Sequence, residues 1–367
     1  MKIVLEHGDR DTRDAVERLA LTSPFEVVIA PNAGPRTKPK ALAAALPFAR
    51  GSYVAVYDAE DEPEPRQLRE ALAAFKADPE LACVQAKLTI DNANDGWLSR
   101  QFAAEYAGLF EVLLPALAKF GLPLPLGGTS NHFRTDILRK VGGWDPFNVT
   151  EDADLGFRLA RFGYRTGTID SLTWEEAPVG HWQWLHQRTR WFKGWLQTWL
   201  VHMRRPILLW RELGWSGFVA LQLLAAGSVM AALLHPLFLG IMLWQLLVGD
   251  LLAPGNAADA EIRSWLSITV LLGGYAGSIC LGWVGLRRRG LVHLGRSLPL
   301  IPIYWLLLSV AAARAIHQLV RAPHEWEKTP HGLGRSSLRK TKPNANSGGW
   351  AARDFNALVA ARHRRRR

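Results

Sequence analysis

The sequence predicts an α/β domain built on a mostly parallel sheet, followed by a helical region that crosses a membrane. Two observations carry this. Up to about residue 90, short apolar runs alternate with helical segments, the pattern of strands linked by crossover helices. Beyond residue 205 long stretches almost free of charge begin, long enough to span a hydrocarbon core. The chain divides accordingly into a sheet domain over 1–205, a membrane region over 206–325 and a basic tail over 326–367.

In order, Ile3-Val4-Leu5 reads as a short buried strand, followed by a helix over roughly Asp11 to Leu21. Glu26-Val27-Val28-Ile29-Ala30 is the next strand. Ser52 to Tyr57 is a third and delivers Asp58 to its carboxyl end. A helix over 66–77 follows Pro63 and Pro65, and Cys83-Val84-Gln85-Ala86 is a further strand. Ligands of such sheets bind beyond the carboxyl ends of the strands, which places Asp58 in a site.

Gly217 to Gly249 is apolar except around His235-Pro236. As helix it would extend about 50 Å, more than one bilayer core needs. The proline suggests two short spans or one span with a kinked extension. Trp265 to Leu286 is a second span. Ser297 to Val320 is a third candidate, carrying Pro299, Pro302 and Arg314. Four crossings return the tail to the side of the sheet domain but place Arg287-Arg288-Arg289 opposite, against the positive-inside tendency. Two crossings with re-entrant or interfacial segments keep both basic clusters on one side.

The chain has 44 Lys and Arg against 33 Asp and Glu, a formal net charge of +11. Most of that excess lies in residues 331–367, which end in four arginines and show little periodicity. This reads as a disordered tail, attracted to anionic lipid headgroups or serving solubility. The rest is close to neutral and lacks an aromatic and basic face, which excludes nucleic acid as a partner. Sixteen Trp fit a chain with belts at membrane interfaces. Cys83 and Cys280 lie in unlike regions, so a disulfide is not expected and the sheet domain reads as cytosolic. Met1-Lys2-Ile3-Val4-Leu5 runs into polar sequence without a signal peptide.

Three clusters carry chemistry. Asp58-Ala59-Glu60-Asp61 offers oxygens for Mg²⁺ or Mn²⁺. Asp58 is the main ligand, with Glu60 as the second and Asp61 competing. Thr150-Glu151-Asp152-Ala153-Asp154-Leu155 offers a carboxylate that can take a proton, although Thr150 with acids behind it also suits a helix start. Gln187-Arg188-Thr189-Arg190-Trp191 puts Gln187 beside Arg190 and Trp191 on a helix surface; a juxtamembrane aromatic helix would look alike. Lys38 and Lys40, behind the turn Pro31 to Pro35, could neutralise phosphate.

The order of these DxD-like, TED and QxxRW motifs resembles the processive membrane glycosyltransferases of family 2, which include cellulose, hyaluronan and chitin synthases. Thr37 to Leu42, Gly127 to Asn131, Gly142 to Asp145 and Trp326-Glu327-Lys328-Thr329-Pro330-His331-Gly332 strengthen the resemblance, which covers residues 1 to about 335. It implies a GT-A-like fold and inverting transfer of a hexose from a nucleotide-sugar donor to a glycan acceptor. It also implies an inner-membrane, multi-pass chain with its catalytic domain cytoplasmic, lipid contacts and four crossings. Residue by residue, it makes Asp152 the base and Asp58 and Glu60 the metal ligands. Asp9, Lys38, Asp58 and Arg190 would hold the donor diphosphate, and Gly128, Thr129, Ser130, Gln187 and Trp191 the acceptor. Relatives open with an earlier, nucleobase-binding strand. Here Met1 lies in what resembles the second strand, and His7-Gly8 stand where relatives tend to be acidic. The expectation is weak nucleotide binding with little base preference. The competing expectations are an inactive copy of the fold, and a membrane transporter or scaffold with a soluble domain.

Overall fold

A computed structural model of the chain describes residues 1–249 and 258–327. The tail from Lys328 onward, with the Thr329 to Gly332 stretch, lies outside the described residues.

Strand β1 (Lys2–Glu6) is followed by α1 (Arg10–Arg18) and β2 (Glu26–Ala30). These two strands pair in parallel, Ile3 opposite Val27, as a two-stranded sheet of their own. Helix α2 (Lys38–Ala45) starts on a Thr37 cap with Pro39 in its first turn, where the missing N–H costs nothing. Then come β3 (Tyr53–Val56), β4 (Glu62–Pro63), α3 (Gln67–Ala77) and β5 (Leu81–Ile90). Helix α4 (Trp97–Gly108) runs through a π turn into α5 (Leu114–Lys119). β6 (Asn131–Arg134), α6 (Thr135–Lys140), α7 (Glu151–Arg161), β7 (Arg165–Glu175) and α8 (His181–His202) complete the domain.

The main sheet has the order β3-β6-β5-β7-β4. β5 and β7 pair in parallel, while β6 is antiparallel to both β3 and β5. β3, β5 and β7 therefore point the same way. The α/β expectation holds, but the sheet is mixed: β6 returns against its neighbours and the short β4 opposes β7. β5 is buried along its whole length except Lys87, as a central strand covered on both faces must be.

After α8 come α9 (Pro206–Leu221), a second π turn, α10 (Ser228–Val248), α11 (Ala258–Arg288) and α12 (Ile301–Arg321). The stretches Pro206–Val248, Ser264–Arg288 and Val292–Arg321 are long and apolar enough to cross a membrane. The break expected at Pro236 lies elsewhere. α10 continues through Pro236, and the helix bends at Gly214, whose φ of 66° is open mainly to glycine. α10 and α11 form an antiparallel pair, marked by Gln245 donating to Ser264 (2.9 Å) and His235 bonded to Tyr275 (2.7 Å).

Two contact sets fix how this pair meets the sheet domain. At the end of α11, Arg288 donates to the Glu111 carbonyl (2.5 Å), and Arg289 to the Glu111 carboxylate (2.9 Å) and the Leu88 carbonyl (2.8 Å). Two of the three arginines, Arg288 and Arg289, are thus bound to the sheet domain. Both ends of α12 are bound there too. Near its start Tyr304 donates to Glu105 (2.7 Å), and past its end Lys193 and Gln197 of α8 donate to the carbonyls of Glu325 and Pro323 (both 2.8 Å). α12 packs along α8 on one side and along α10 on the other, where Ala312 meets Val229 and Ala232. Arg314, which weakened this stretch as a span, pairs with Glu327 (2.6 Å). Leu286, Leu294, Leu298 and Tyr304 share one core cluster with Phe102, Leu114 and Leu155 of the sheet domain.

Candidate functional site

β3 ends two residues before Asp58, and the segment Gly127 to Ser130 folds over that end. Ser130 N–H bonds the Val56 carbonyl (2.7 Å), and the Asp58 N–H donates to the Thr129 hydroxyl (3.1 Å). Lys38, at the start of α2, forms an ion pair with Asp58 and donates to the Gly128 carbonyl (2.6 Å). Burial favours a neutral Lys38, but the carboxylates of Asp58, Glu151 and Asp152 outweigh it and hold the ammonium above its ordinary range. Lys40 is engaged otherwise, pairing with Glu6 and donating to the Pro31 carbonyl (both 3.0 Å). Of the two lysines, Lys38 faces the site.

The segment Gly128-Thr129-Ser130, expected to hold the acceptor, splits in two. Gly128 lines the cleft: a Cβ there would lie 3.4 Å from an Asp152 oxygen and 3.7 Å from the Lys38 nitrogen. Thr129 and Ser130 are buried beneath it. Thr129 braces Asp58 and also bonds the Asp61 carboxyl, and Ser130 bonds Thr173 inside the sheet (2.6 Å). Both build the site from below.

Glu60 sits exposed on the turn after β3. Asp61 is more enclosed, and its Oδ2 is sealed from solvent without a hydrogen-bond partner. Burial, with Glu175, Asp58 and Glu60 nearby, drives its pKa far above the carboxylate range. Glu175, the last residue of β7, was not found from the sequence. Burial and the neighbouring acids raise it as well, against a hydrogen bond from Tyr106. It ends a strand running parallel to β3, so the rule that pointed to Asp58 would have found it had β7 been recognised. These oxygens fit a hard divalent cation. Among the described residues no three His, Cys, Asp or Glu side chains form a ready cage. A cation here would be held by one or two of Asp58, Glu60 and Asp61, with donor phosphates completing its shell, as is usual for Mg²⁺. When bound it would neutralise a departing diphosphate.

The first turn of α7 brings three acids with different fates. Asp152 and Glu151 face the cleft. Burial raises both carboxyl pKa values, opposed at Asp152 by the Ala153 N–H, Lys38 and Arg190. Asp154 turns away to His202 (3.0 Å) and Arg158 (2.5 Å), which hold it below its ordinary range despite burial. Of the three acids it is the one held out of the cleft. Thr150 does not cap α7 by its side chain, which reaches Asn148 instead.

α8 supplies the remaining groups. Gln187 is buried with its Oε1 unpartnered, and Arg190 Nε is likewise without a partner. Burial lowers Arg190, opposed by the charges of Glu151, Asp152 and Asp58. Its guanidinium lies 4.5 Å from the Trp326 ring. Trp191 is half-buried and stacks with Tyr106 at 6.3 Å. Asp9 caps α1, accepting from the Thr12 N–H at 3.2 Å.

α8 reaches α7 at Gly194, where a Cβ would fall 2.7 Å from Thr150 Cβ and closer still to its hydroxyl. Gly194→Ala must therefore push α8 off α7. It is expected to cost about 1–3 kcal/mol of stability, typical of overpacking, read as a lower melting temperature of the purified chain.

The family described as "Glycosyl transferase family group 2" matches residues 53–254, more than half of the chain. The "Probable glycosyltransferase YdaM" of Bacillus subtilis is 30% identical over 165 residues, 45% of this chain and 39% of its own length. The "Probable glucomannan 4-beta-mannosyltransferase 1" of Arabidopsis thaliana is 29% identical over 143 residues, 39% of this chain and 26% of its own length. The chain thus spans well under half of either relative. Among solved structures, the mannosyltransferase PcManGT from Pyrobaculum calidifontis, in complex with GDP-Man and Mn²⁺, aligns over 88% of this chain and 78% of its own. Its TM-score is 0.45 and its identity 20%.

Proposed function

The chain belongs to glycosyl transferase family group 2, and from that premise we propose that it transfers a hexose from a nucleotide sugar to a glycan hydroxyl with inversion. One observation carries the reading: Lys38, Asp58, Asp152 and Gly128 meet in one cleft beyond the end of β3, with Arg190 within reach of the same carboxylates. Asp152 takes the proton of the acceptor hydroxyl as that oxygen attacks the anomeric carbon. A raised pKa makes its carboxylate a better base. Lys38 and Arg190 balance the diphosphate, and Asp58 with Glu60 or Asp61 would hold a divalent cation, which when bound would supply further positive charge to the leaving group. Trp191 and Gln187 receive the acceptor. The test is a screen of nucleotide sugars with membranes from an expressing strain. GDP-mannose comes first, because the plant relative is named a mannosyltransferase, and UDP-glucose second. Chelator-sensitive incorporation of hexose into glycan is expected. Failure to turn over any donor would sink the reading.

The same reading extends to orientation. The α10/α11 pair crosses the inner membrane, while α12 and the basic triplet stay with the catalytic domain on the cytoplasmic side. This favours two crossings over the four that the resemblance suggested, because both ends of α12 bond the sheet domain. In a chain with Cys83 and Cys280 replaced by Ser, a cysteine at Gly249 should react with an impermeant maleimide from outside intact cells. Cysteines at Gly290 or after Arg367 should stay protected. Labelling at Gly290 would restore the four-crossing arrangement.

A further inference from the structure

We propose that Arg188 is a positioning residue that fixes the Trp191 indole through a clamp shared with Glu105 and Tyr304, and so ties the acceptor platform to α12. Arg188 is an unassigned position within the Gln187 to Trp191 motif. Its side chain is 5% exposed. Its guanidinium makes two parallel bonds to Glu105, 2.6 and 2.7 Å. Tyr304 donates to the same carboxylate at 2.7 Å. Its flat faces are used as well: the guanidinium carbon lies 4.5 Å from the ring centres of both Phe102 and Trp191. Phe102, Glu105 and Tyr106 of α4 stand three and four residues apart and share one face. Arg188 and Trp191, three apart on α8, meet that face together.

The consequence concerns the indole. Tyr106 stacks against Trp191 at an interplanar angle of 21°, and Arg188 sits over the ring. Trp191 therefore cannot rotate without displacing a doubly bonded guanidinium. A lysine keeps the charge but neither the fork nor the plane, so it would leave the indole free to move. Tyr304 belongs to α12, so a shift of that helix is transmitted through Glu105 and Arg188 to the ring. Lys38, Asp58 and Asp152 take no part in these contacts; the link to the acid cluster is the Tyr106 hydroxyl, which bonds Glu175 and is left in place by Arg188→Lys, so the donor side should change little.

The functional half rests on the reading that Trp191 carries the acceptor, and the experiment separates the two. The full chain is labelled with 5-fluorotryptophan and purified in detergent. The Trp191 ¹⁹F resonance is identified by its loss in Trp191→Phe. In Arg188→Lys that resonance should shift and broaden, and Tyr304→Phe should move it less in the same direction. With mannotetraose as acceptor probe, the acceptor KM should rise about tenfold in Arg188→Lys while kcat and donor KM stay within about twofold, the pattern of an interaction used in binding. A Trp191 resonance unmoved in both variants overturns the clamp, as does a fall in kcat and a rise in donor KM as large as the rise in acceptor KM. If Arg188→Lys fails to fold, Tyr304→Phe and Glu105→Gln decide by the same resonance. A wild-type chain inactive on all donors removes the transfer reading alone, since the spectrum still decides the clamp.

Discussion

Asp58→Asn is expected to lower transfer by about 10²–10³-fold, the order of cost when one stabiliser of a developing anion is lost, here the cation that Asp58 would hold, while membrane insertion stays normal. The substitution preserves shape, because the Asp58 N–H is held by Thr129 whatever the side chain. It removes the anion that pairs with Lys38 and, in the proposed chemistry, the principal ligand of the cation on the diphosphate. Lys38 would then lean on Gly128 and the α7 acids. Two measurements check this. Radiolabelled hexose transfer in membranes reports the chemistry, and Mn²⁺ binding in the presence of nucleoside diphosphate, followed by electron paramagnetic resonance, reports the cation directly. Asp61→Asn and Glu60→Gln in the same assay decide which of them is the second ligand. Near-wild-type turnover and Mn²⁺ binding in Asp58→Asn would remove it from the site.

The reach of the sequence is uneven, for physical reasons. β2 and α3 were read to within a residue, because apolar β-branched runs and helical periodicity are local properties. β3 was placed well enough to put Asp58 at its carboxyl end. β6 was missed because Asn131-His132-Phe133-Arg134 has no strand-like alternation; its neighbours on either side make it a strand. β7 was missed with it, and Glu175 went unnoticed. The separate destinations of Asp152 and Asp154 lie outside any local rule. They depend on His202, which folding brings from the far end of α8. The status of α12 is the clearest case. Its composition is that of a span, and the bonds that tie its two ends to Glu105, Lys193 and Gln197 of the sheet domain join residues far apart in the sequence, which no local pattern shows.

Asp152→Asn should leave donor binding intact and reduce kcat by about 10²–10⁴-fold, the range attributed to a positioned general base. The amide keeps the size of the carboxyl and can still accept the hydrogen bond that the Ala153 N–H gives Asp152 (2.8 Å), so α7 should hold its place. What is lost is proton affinity. Burial raises the pKa of Asp152 against Lys38 and Arg190, which strengthens the carboxylate as a base. Glu151 is the rival, since it is raised in the same way and also faces the cleft. The pair is resolved by testing both: Asp152→Asn and Glu151→Gln are compared for donor affinity by calorimetry and for kcat at saturating donor and acceptor. Loss of kcat with unchanged donor affinity in Asp152→Asn alone assigns the base. The same loss in Glu151→Gln, with Asp152→Asn active, moves the role one residue back. A Asp152→Asn chain that loses donor affinity yet turns over normally at saturation would show that this carboxylate orders the Lys38 side of the cleft and takes no proton.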